Sequence, residues 1–221
     1  MKTAKKALLL VLCAIALVVA SVMGTFAYLK STTQVVTNTF TAGKVAITLD
    51  EAKVDAYGVK DGDLRTTTGN SYKLIAGHTY AKDPTVTVAA NSESSFVRMV
   101  VTITDIADLK AACDVTGQFM PGEFVTGWDP AVWACVDGYA NGDGSATYVF
   151  QYNGAVDTLN GNDKVLAPLF TGFEMPETAT NDEILNLEGM NITVQAYAAQ
   201  ADGFQNASAA MVASFPEVFV R

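Results

Sequence analysis

Histidine is almost missing from this chain, which removes several classes of catalytic and metal site. His78 is the only histidine among the 221 residues. Zinc sites of the HExxH type and clusters of histidines therefore have no residues to build them, and a triad with a histidine base would have to use His78. His78 follows Gly77, which favours a turn position over a ligand role. We expect neither a metal nor another cofactor, and no enzyme activity. A hydrolase stays an alternative, because a glycosidase-type pair of carboxylates comes together only in the fold.

Cysteine is also scarce, with only Cys13, Cys113 and Cys135. Cys13 lies inside an apolar run and follows a leucine, whereas a lipidated cysteine follows a small residue. Cys113 and Cys135 permit a disulfide if the chain is exported, and it would close a loop of about 22 residues. Two buried free thiols are the alternative.

Basic residues are few relative to acidic ones. The chain has 14 Lys and Arg against 23 Asp and Glu, for a formal net charge of −9. An acidic surface argues against nucleic acid and anionic membranes as partners. It also keeps a secreted protein soluble.

The first residues have the pattern of an export signal. Three lysines within the first six residues precede an uncharged apolar run over residues 7–23. A positive segment followed by an apolar one addresses a chain to a translocase. The small residues that follow predict cleavage between Ala27 and Tyr28. An uncleaved signal anchor is the alternative, and only through it do we expect the chain to contact a membrane.

The rest of the chain is predicted to be all-β, an antiparallel sandwich with a few short helices. Segments rich in Val, Ile, Thr and aromatic residues alternate with turn-forming clusters. Strands are predicted over residues 44–49, 84–90, 96–104, 133–137, 146–152, 164–173 and 190–198, and residues 96–104 alternate with Val97, Met99, Val101 and Ile103 on one face. Short helices are predicted over 105–113, after Thr180, where residues 180–183 have capping-box spacing, and over 206–215. We expect the last helix to pack Met211, Val212 and Phe215 onto an open end of the sandwich. Residues 51–77 are polar and are predicted to hold little regular structure. The predicted organisation is a signal peptide at 1–27, an N-terminal segment at 28–43 and one sandwich domain at 44–221.

Three stretches carry a family pattern. They are residues 24–28 (GTFAY), residues 38–49 (NTFTAGKVAITL) and residues 74–88 (LIAGHTYAKDPTVTV). The last of them has a G-x-x-x-x-K spacing, from Gly77 to Lys82, before a predicted strand. With them the chain resembles the TasA/camelysin family of SipW-dependent surface proteins. The resemblance implies a jelly-roll-like sandwich, processing by a SipW-type signal peptidase, secretion to the extracellular space or cell surface, and a role in biofilm-matrix fibres. Camelysins are described as metallopeptidases, but this sequence has no metal-binding motif to match that activity.

The segment after the cleavage site is a candidate donor strand. Residues 28–37 are β-prone and sparsely charged, with Tyr28, Leu29, Val35 and Val36 as apolar anchors. The resemblance implies fibres built by donor-strand exchange. Pairing within the same subunit, or a frayed terminus, is the alternative.

The sequence thus predicts a secreted structural protein that associates with itself as a homo-oligomer or fibre, with other matrix proteins as further candidate partners. The alternative is an extracellular module that binds glycan or protein without assembling. Trp128 and Trp133 could form a sugar platform in such a module, although their packing in the core is the favoured interpretation.

Overall fold

The computed structural model describes residues 2–28 and 43–220, which belong to two separate units. The first contains the helix α1, Lys2–Tyr28. Its run of Ala, Leu and Val contains no proline, and glycine enters only near its end, so no strong helix breaker interrupts most of its length. The stretch Thr3–Ser21 has a mean hydropathy of 2.2 and none of it is buried. By length and composition this helix could cross a membrane, and an apolar N-terminal helix is consistent with the predicted signal sequence.

The second unit is mostly antiparallel β-structure, as predicted. Its strands are β1 (Ile47–Val54), β2 (Lys60–Thr66), β3 (Thr79–Ala81), β4 (Thr85–Val88), β5 (Ser95–Ile103), β6 (Val125–Thr126), β7 (Trp133–Ala140), β8 (Ala146–Tyr152), β9 (Lys164–Val165), β10 (Gly172–Glu174) and β11 (Ile192–Gln200). They form three sheets, in the orders β2-β1-β4-β9, β3-β10-β6 and β11-β5-β8-β7.

We call β11-β5-β8-β7 the largest sheet, because its strands are the longest. Its inner strand β5 is largely buried. Val97, Met99, Val101 and Ile103 point to the core, each at most 3% exposed. The alternation predicted for this strand is therefore confirmed. β11 pairs with β5 over its whole length, from Ile192 opposite Ile103 to Gln200 opposite Ser95.

The two smaller sheets close the other side of the same core. Val86 and Val88 of β4 are fully buried. Phe173 of β10 stacks on Tyr80 and on Phe124, with ring centroids 4.8 and 5.0 Å apart. Side chains from all three sheets join one apolar cluster, which gives the unit its sandwich-like build.

Four short α-helices complete the second unit, α2 (Ile106–Ala112), α3 (Asn181–Asn186), α4 (Ala207–Ser214) and α5 (Pro216–Phe219), together with a 3-10 helix at Pro121–Glu123. All three predicted helices are present. The capping box predicted for α3 forms as expected, because Thr180 Oγ1 accepts from the Glu183 N–H while a Glu183 carboxylate oxygen accepts from the Thr180 N–H.

Three details of the prediction were wrong. Residues 51–54 continue β1, and the polar strand β2 pairs with it. Residues 164–173 do not form one strand, since β9 and the start of β10 are separate. α4 packs on a face of the largest sheet against β11 and β5, not on an open end, and Val212 is exposed.

Candidate functional site: the groove beside β11

The predicted processing site lies at the end of α1. Ala27 and Tyr28 are its last two residues. Of the candidate donor strand, only Tyr28 is described, and it is helical; Leu29, Val35, Val36 and the other residues up to 37 lie outside the described residues. The donor-strand assignment therefore stays a prediction.

Two adjoining cavities flank the start of β11, and we call them together the β11 groove. They measure about 640 and about 260 Å³ and share Lys82 and Ile192. The larger lies between the connection after β2 and the segment from α3 to β11. The smaller has Leu49, Asp50 and Glu51 of β1 on one side and Ile192, Thr193 and Val194 of β11 on the other.

β11 is an edge strand among the described elements. It pairs with β5, and no second described strand pairs with its other edge. An edge strand presents unpaired backbone N–H and C=O groups, to which another extended segment can bond. The far end of β11 lies beside the beginning of its own unit, because Gly43, Lys44 and Val45 line a further cavity together with Ala198, Ala199 and Gln200.

A buried polar cluster forms the wall of the groove. Lys82 Nζ donates to Glu51 Oε2 at 2.5 Å, and the two side chains are only 7% and 8% exposed. Asn70 Nδ2 donates to the other oxygen of the same carboxylate, Glu51 Oε1, at 2.8 Å. Burying an ammonium and a carboxylate is costly unless they are paired and their remaining groups are satisfied. The Glu51 carboxylate meets both conditions here.

A second charged cluster lies next to the first. One oxygen of Asp83 accepts from the Ala52 N–H at 2.6 Å, and the other accepts from Lys60 Nζ at 2.9 Å. Arg65 approaches the same carboxylate at 3.6 Å. Burial alone would raise the pKa of Asp83, but these donors outweigh it and lower that pKa below its ordinary value. Asp83 thus stays ionised and fastens β1 and β2 to the chain before β4.

Aromatic rings border the polar cluster. Tyr72 lies edge-on to Tyr80 and Phe173, with centroid distances of 5.7 and 5.1 Å. Its hydroxyl donates to the Ala81 carbonyl at 3.0 Å. Burial, followed by the charge of Glu51, raises the pKa of Tyr72, so the phenol stays protonated.

The two cysteines of this unit are free thiols in the structure, so it does not contain the predicted disulfide. Cys113 and Cys135 are both partly buried and both pack against the main core. Burial is the main cause that raises the pKa of each thiol, and for Cys113 the pKa is about 11. A thiol with so high a pKa is a poor nucleophile at neutral pH.

The other residues that drew attention in the sequence have structural roles. Trp133 is fully buried and donates its indole N–H to the Ala167 carbonyl at 2.9 Å. Trp128 donates to the Trp133 carbonyl at 2.7 Å and lies edge-on to Phe150. Both indoles therefore support the core interpretation. His78 follows a turn, and its Nε2 lies 2.8 Å from the Tyr57 carbonyl oxygen.

Within residues 2–28 and 43–220, no group of three or more His, Cys, Asp or Glu side chains is placed to hold a metal ion. In the hairpin loop between β7 and β8, the Asp143 carboxylate accepts hydrogen bonds from both the N–H and the hydroxyl of Ser145. This carboxylate is therefore bonded within its own loop.

Comparison with known proteins places the chain in no group: no family model, curated protein or solved structure matches it. Its function has to be argued from the geometry above.

Proposed function

We propose that this chain is a secreted, non-catalytic structural protein of the TasA/camelysin kind. In this proposal a SipW-type peptidase cleaves it between Ala27 and Tyr28, and the released segment pairs with another subunit at the cell surface or in a biofilm matrix. The antiparallel, sandwich-like sheets are compatible with a jelly-roll arrangement, and the apolar helix α1 supports export.

The observation that carries the proposal is the edge of β11 with which no described strand pairs, although β1 lies beside it. All nine residues of this strand pair with β5, and its other edge pairs with no strand in the part of the chain that the structure describes. The groove beside the edge has apolar side chains, among them Leu49, Ile192 and Val194, that could receive alternate side chains of a strand. Backbone hydrogen bonds contribute about 0.5–1.5 kcal/mol each, and a buried Leu or Val side chain adds about 1.5–3 kcal/mol, so a strand of several residues suffices for stable association.

The position of Gly43, where the sandwich unit begins, favours β11 as the edge that the N-terminal segment pairs with. Gly43 lies beside Ala198–Gln200, at the far end of β11. A segment just before Gly43 can therefore reach this edge in its own subunit as well as in a neighbour. An arrangement with both options suits strand exchange, because cleavage frees the segment to move between the two.

The test compares the protein beginning at Tyr28 with a variant in which Leu29→Asp and Val35→Asp remove two apolar anchors on one face. The matched control carries Thr32→Asp and Gln34→Asp, which add the same charge on the opposite face of an extended segment. We expect filaments by electron microscopy, and high-mass species by size exclusion, from the parent and the control but not from the test variant.

Monomers from all three proteins would refute self-assembly. Binding of a defined oligosaccharide or protein by those monomers would then favour the alternative function, an extracellular binding module. The roughly 640 Å³ cavity of the β11 groove would be the place to look for that ligand.

A further inference from the structure

Lys82, Glu51 and Asn70 come from three different parts of the chain and meet around one carboxylate. Glu51 lies in β1, Asn70 in the connection after β2, and Lys82 just before β4. The Lys82 ammonium and the Asn70 amide each bond to a different oxygen of Glu51, at 2.5 and 2.8 Å. The carboxylate therefore holds an amine and a carboxamide next to each other in a largely buried place.

The carboxamide of Asn70 is fixed on all sides. Its Oδ1 accepts from the Val54 N–H at 3.0 Å, and its Nδ2 donates to the Ala52 carbonyl at 2.9 Å as well as to Glu51. A backbone N–H aimed at a carbonyl oxygen polarises that carbonyl and stabilises the negative charge that develops on the oxygen when a nucleophile adds. Cγ of Asn70 is thus held as an electrophile. It lies beside the Lys82 amine and the Glu51 carboxylate, and the carboxylate can accept a proton.

We propose that Lys82 and Asn70 form an intramolecular amide cross-link, with Glu51 as the general acid and base. The proposal goes beyond the assembly function and does not depend on it.

The reaction needs no outside reagent. Glu51 takes one proton from the Lys82 ammonium, and the neutral amine adds to Cγ of Asn70 while the Val54 N–H bonds to the oxygen. Glu51 then passes its proton to the Asn70 nitrogen and takes a second proton from the attacking nitrogen. Collapse breaks the Cγ–Nδ2 bond, forms the Nζ–Cγ amide and releases ammonia. The three protons of the ammonium end on the new amide, on ammonia and on Glu51.

The cavity beside the cluster suits this step. Asn70 and Lys82 both line the roughly 640 Å³ cavity, which gives the amine room to reach Cγ and ammonia a way out. Proximity of this kind makes a slow bimolecular reaction effectively unimolecular.

The cross-link would tie the connection after β2 to the start of β4. That region contains the polar strand β2, which is exposed almost throughout and has little apolar burial of its own. A covalent tie in such a region protects a protein outside the cell from local opening and proteolysis. The cross-link would therefore stabilise a region in which side-chain packing contributes little.

Tryptic peptide mapping of the full chain tests the proposal and does not depend on whether α1 has been removed. Asn70 lies in the peptide 66–73 and Lys82 ends the peptide 74–82. The expected product is 66–73 joined to 74–98, because a modified Lys82 is no longer cleaved, with a mass lower than the sum of the two by one ammonia. Fragmentation should place the link between Asn70 and Lys82.

A succinimide at Asn70 also loses ammonia, but it leaves 66–73 as a separate peptide and leaves Lys82 cleavable. Glu51→Gln keeps the size and hydrogen bonds of the side chain without its basicity, so it should give unlinked peptides, as should Asn70→Ala and Lys82→Arg. Asp61→Asn, on the surface of β2, should keep the full cross-link. Recovery of free 66–73 and 74–82 from the folded parent chain would overturn the proposal whatever the variants do.

Discussion

Ser95 and Ser92 are both fully buried, but their hydroxyls differ in hydrogen bonding. In the described part of the chain, Ser95 Oγ has no hydrogen-bond partner. Ser92 Oγ accepts from the Ala46 N–H at 3.2 Å and donates to the Ala46 carbonyl at 3.4 Å. A buried hydroxyl without a partner loses its bonds to water and gains nothing in return.

We therefore predict that Ser95→Ala raises the free energy of unfolding by about 1 kcal/mol, whereas Ser92→Ala lowers it by about 1 kcal/mol. Urea unfolding of the two variants and the parent measures both values. A loss of stability in Ser95→Ala as large as that in Ser92→Ala would show that the Ser95 hydroxyl is bonded after all.

The cysteines carry a second prediction at this scale. With a pKa of about 11, only about one Cys113 side chain in ten thousand is a thiolate at pH 7, and the thiolate is the form that reacts. We expect alkylation of Cys113 in the native protein to be about 100-fold slower than that of a free cysteine, and alkylation of Cys135, whose pKa is also raised, to be slowed in the same direction. Denaturation without reductant should make both react at once, as followed by mass spectrometry. Two cysteines that label only after reduction would show that a disulfide forms on export.

At the scale of elements, Asp83 joins β1 and β2 to the chain before β4, and this predicts a pH dependence. Its pKa is lower in the folded protein than its ordinary value of 3.8, so its contribution to stability is complete above that pH and is lost as the pH falls through the folded value. Asp83→Asn should cost about 1–2 kcal/mol at pH 7, a modest figure because Lys60 and Arg65 are half and one third exposed.

The cost of Asp83→Asn should shrink towards zero in strong acid, as measured by urea unfolding between pH 7 and pH 2. The control is Asp61→Asn, whose ion pair with Lys53 at 3.4 Å is more than half exposed on both sides and should contribute almost nothing. An equal cost for Asp83→Asn at every pH would rule out the ionised carboxylate as the source of the stability.

The same elements show what the sequence could and could not reveal. β5 and α3 were predictable, because alternation and a capping box are local signals. β2 was missed because a strand exposed on both faces has no apolar pattern to detect. The cluster of Glu51, Asn70 and Lys82 was missed for the same reason, since Asn70 meets Glu51 only when β2 folds back on β1. The one local signal was a charged pair, Lys82-Asp83, directly before a buried strand.

At the scale of the whole molecule, residues 43–220 contain a large apolar core of their own. A protein beginning at Gly43 should therefore unfold cooperatively. Under the assembly proposal, the protein beginning at Tyr28 and the one beginning at Gly43 should have the same unfolding midpoint when dilute. As concentration rises, only the longer protein should gain stability, because self-association binds the native state and not the unfolded one.

Urea titrations at low and high protein concentration separate this behaviour from pairing within one subunit. If residues 28–42 complete the β11 edge of their own chain, the longer protein will be more stable at every concentration and the difference will not grow. Such a result would leave the β11 groove as the place where the segment binds. It would make the segment a part of the fold and not a link between subunits.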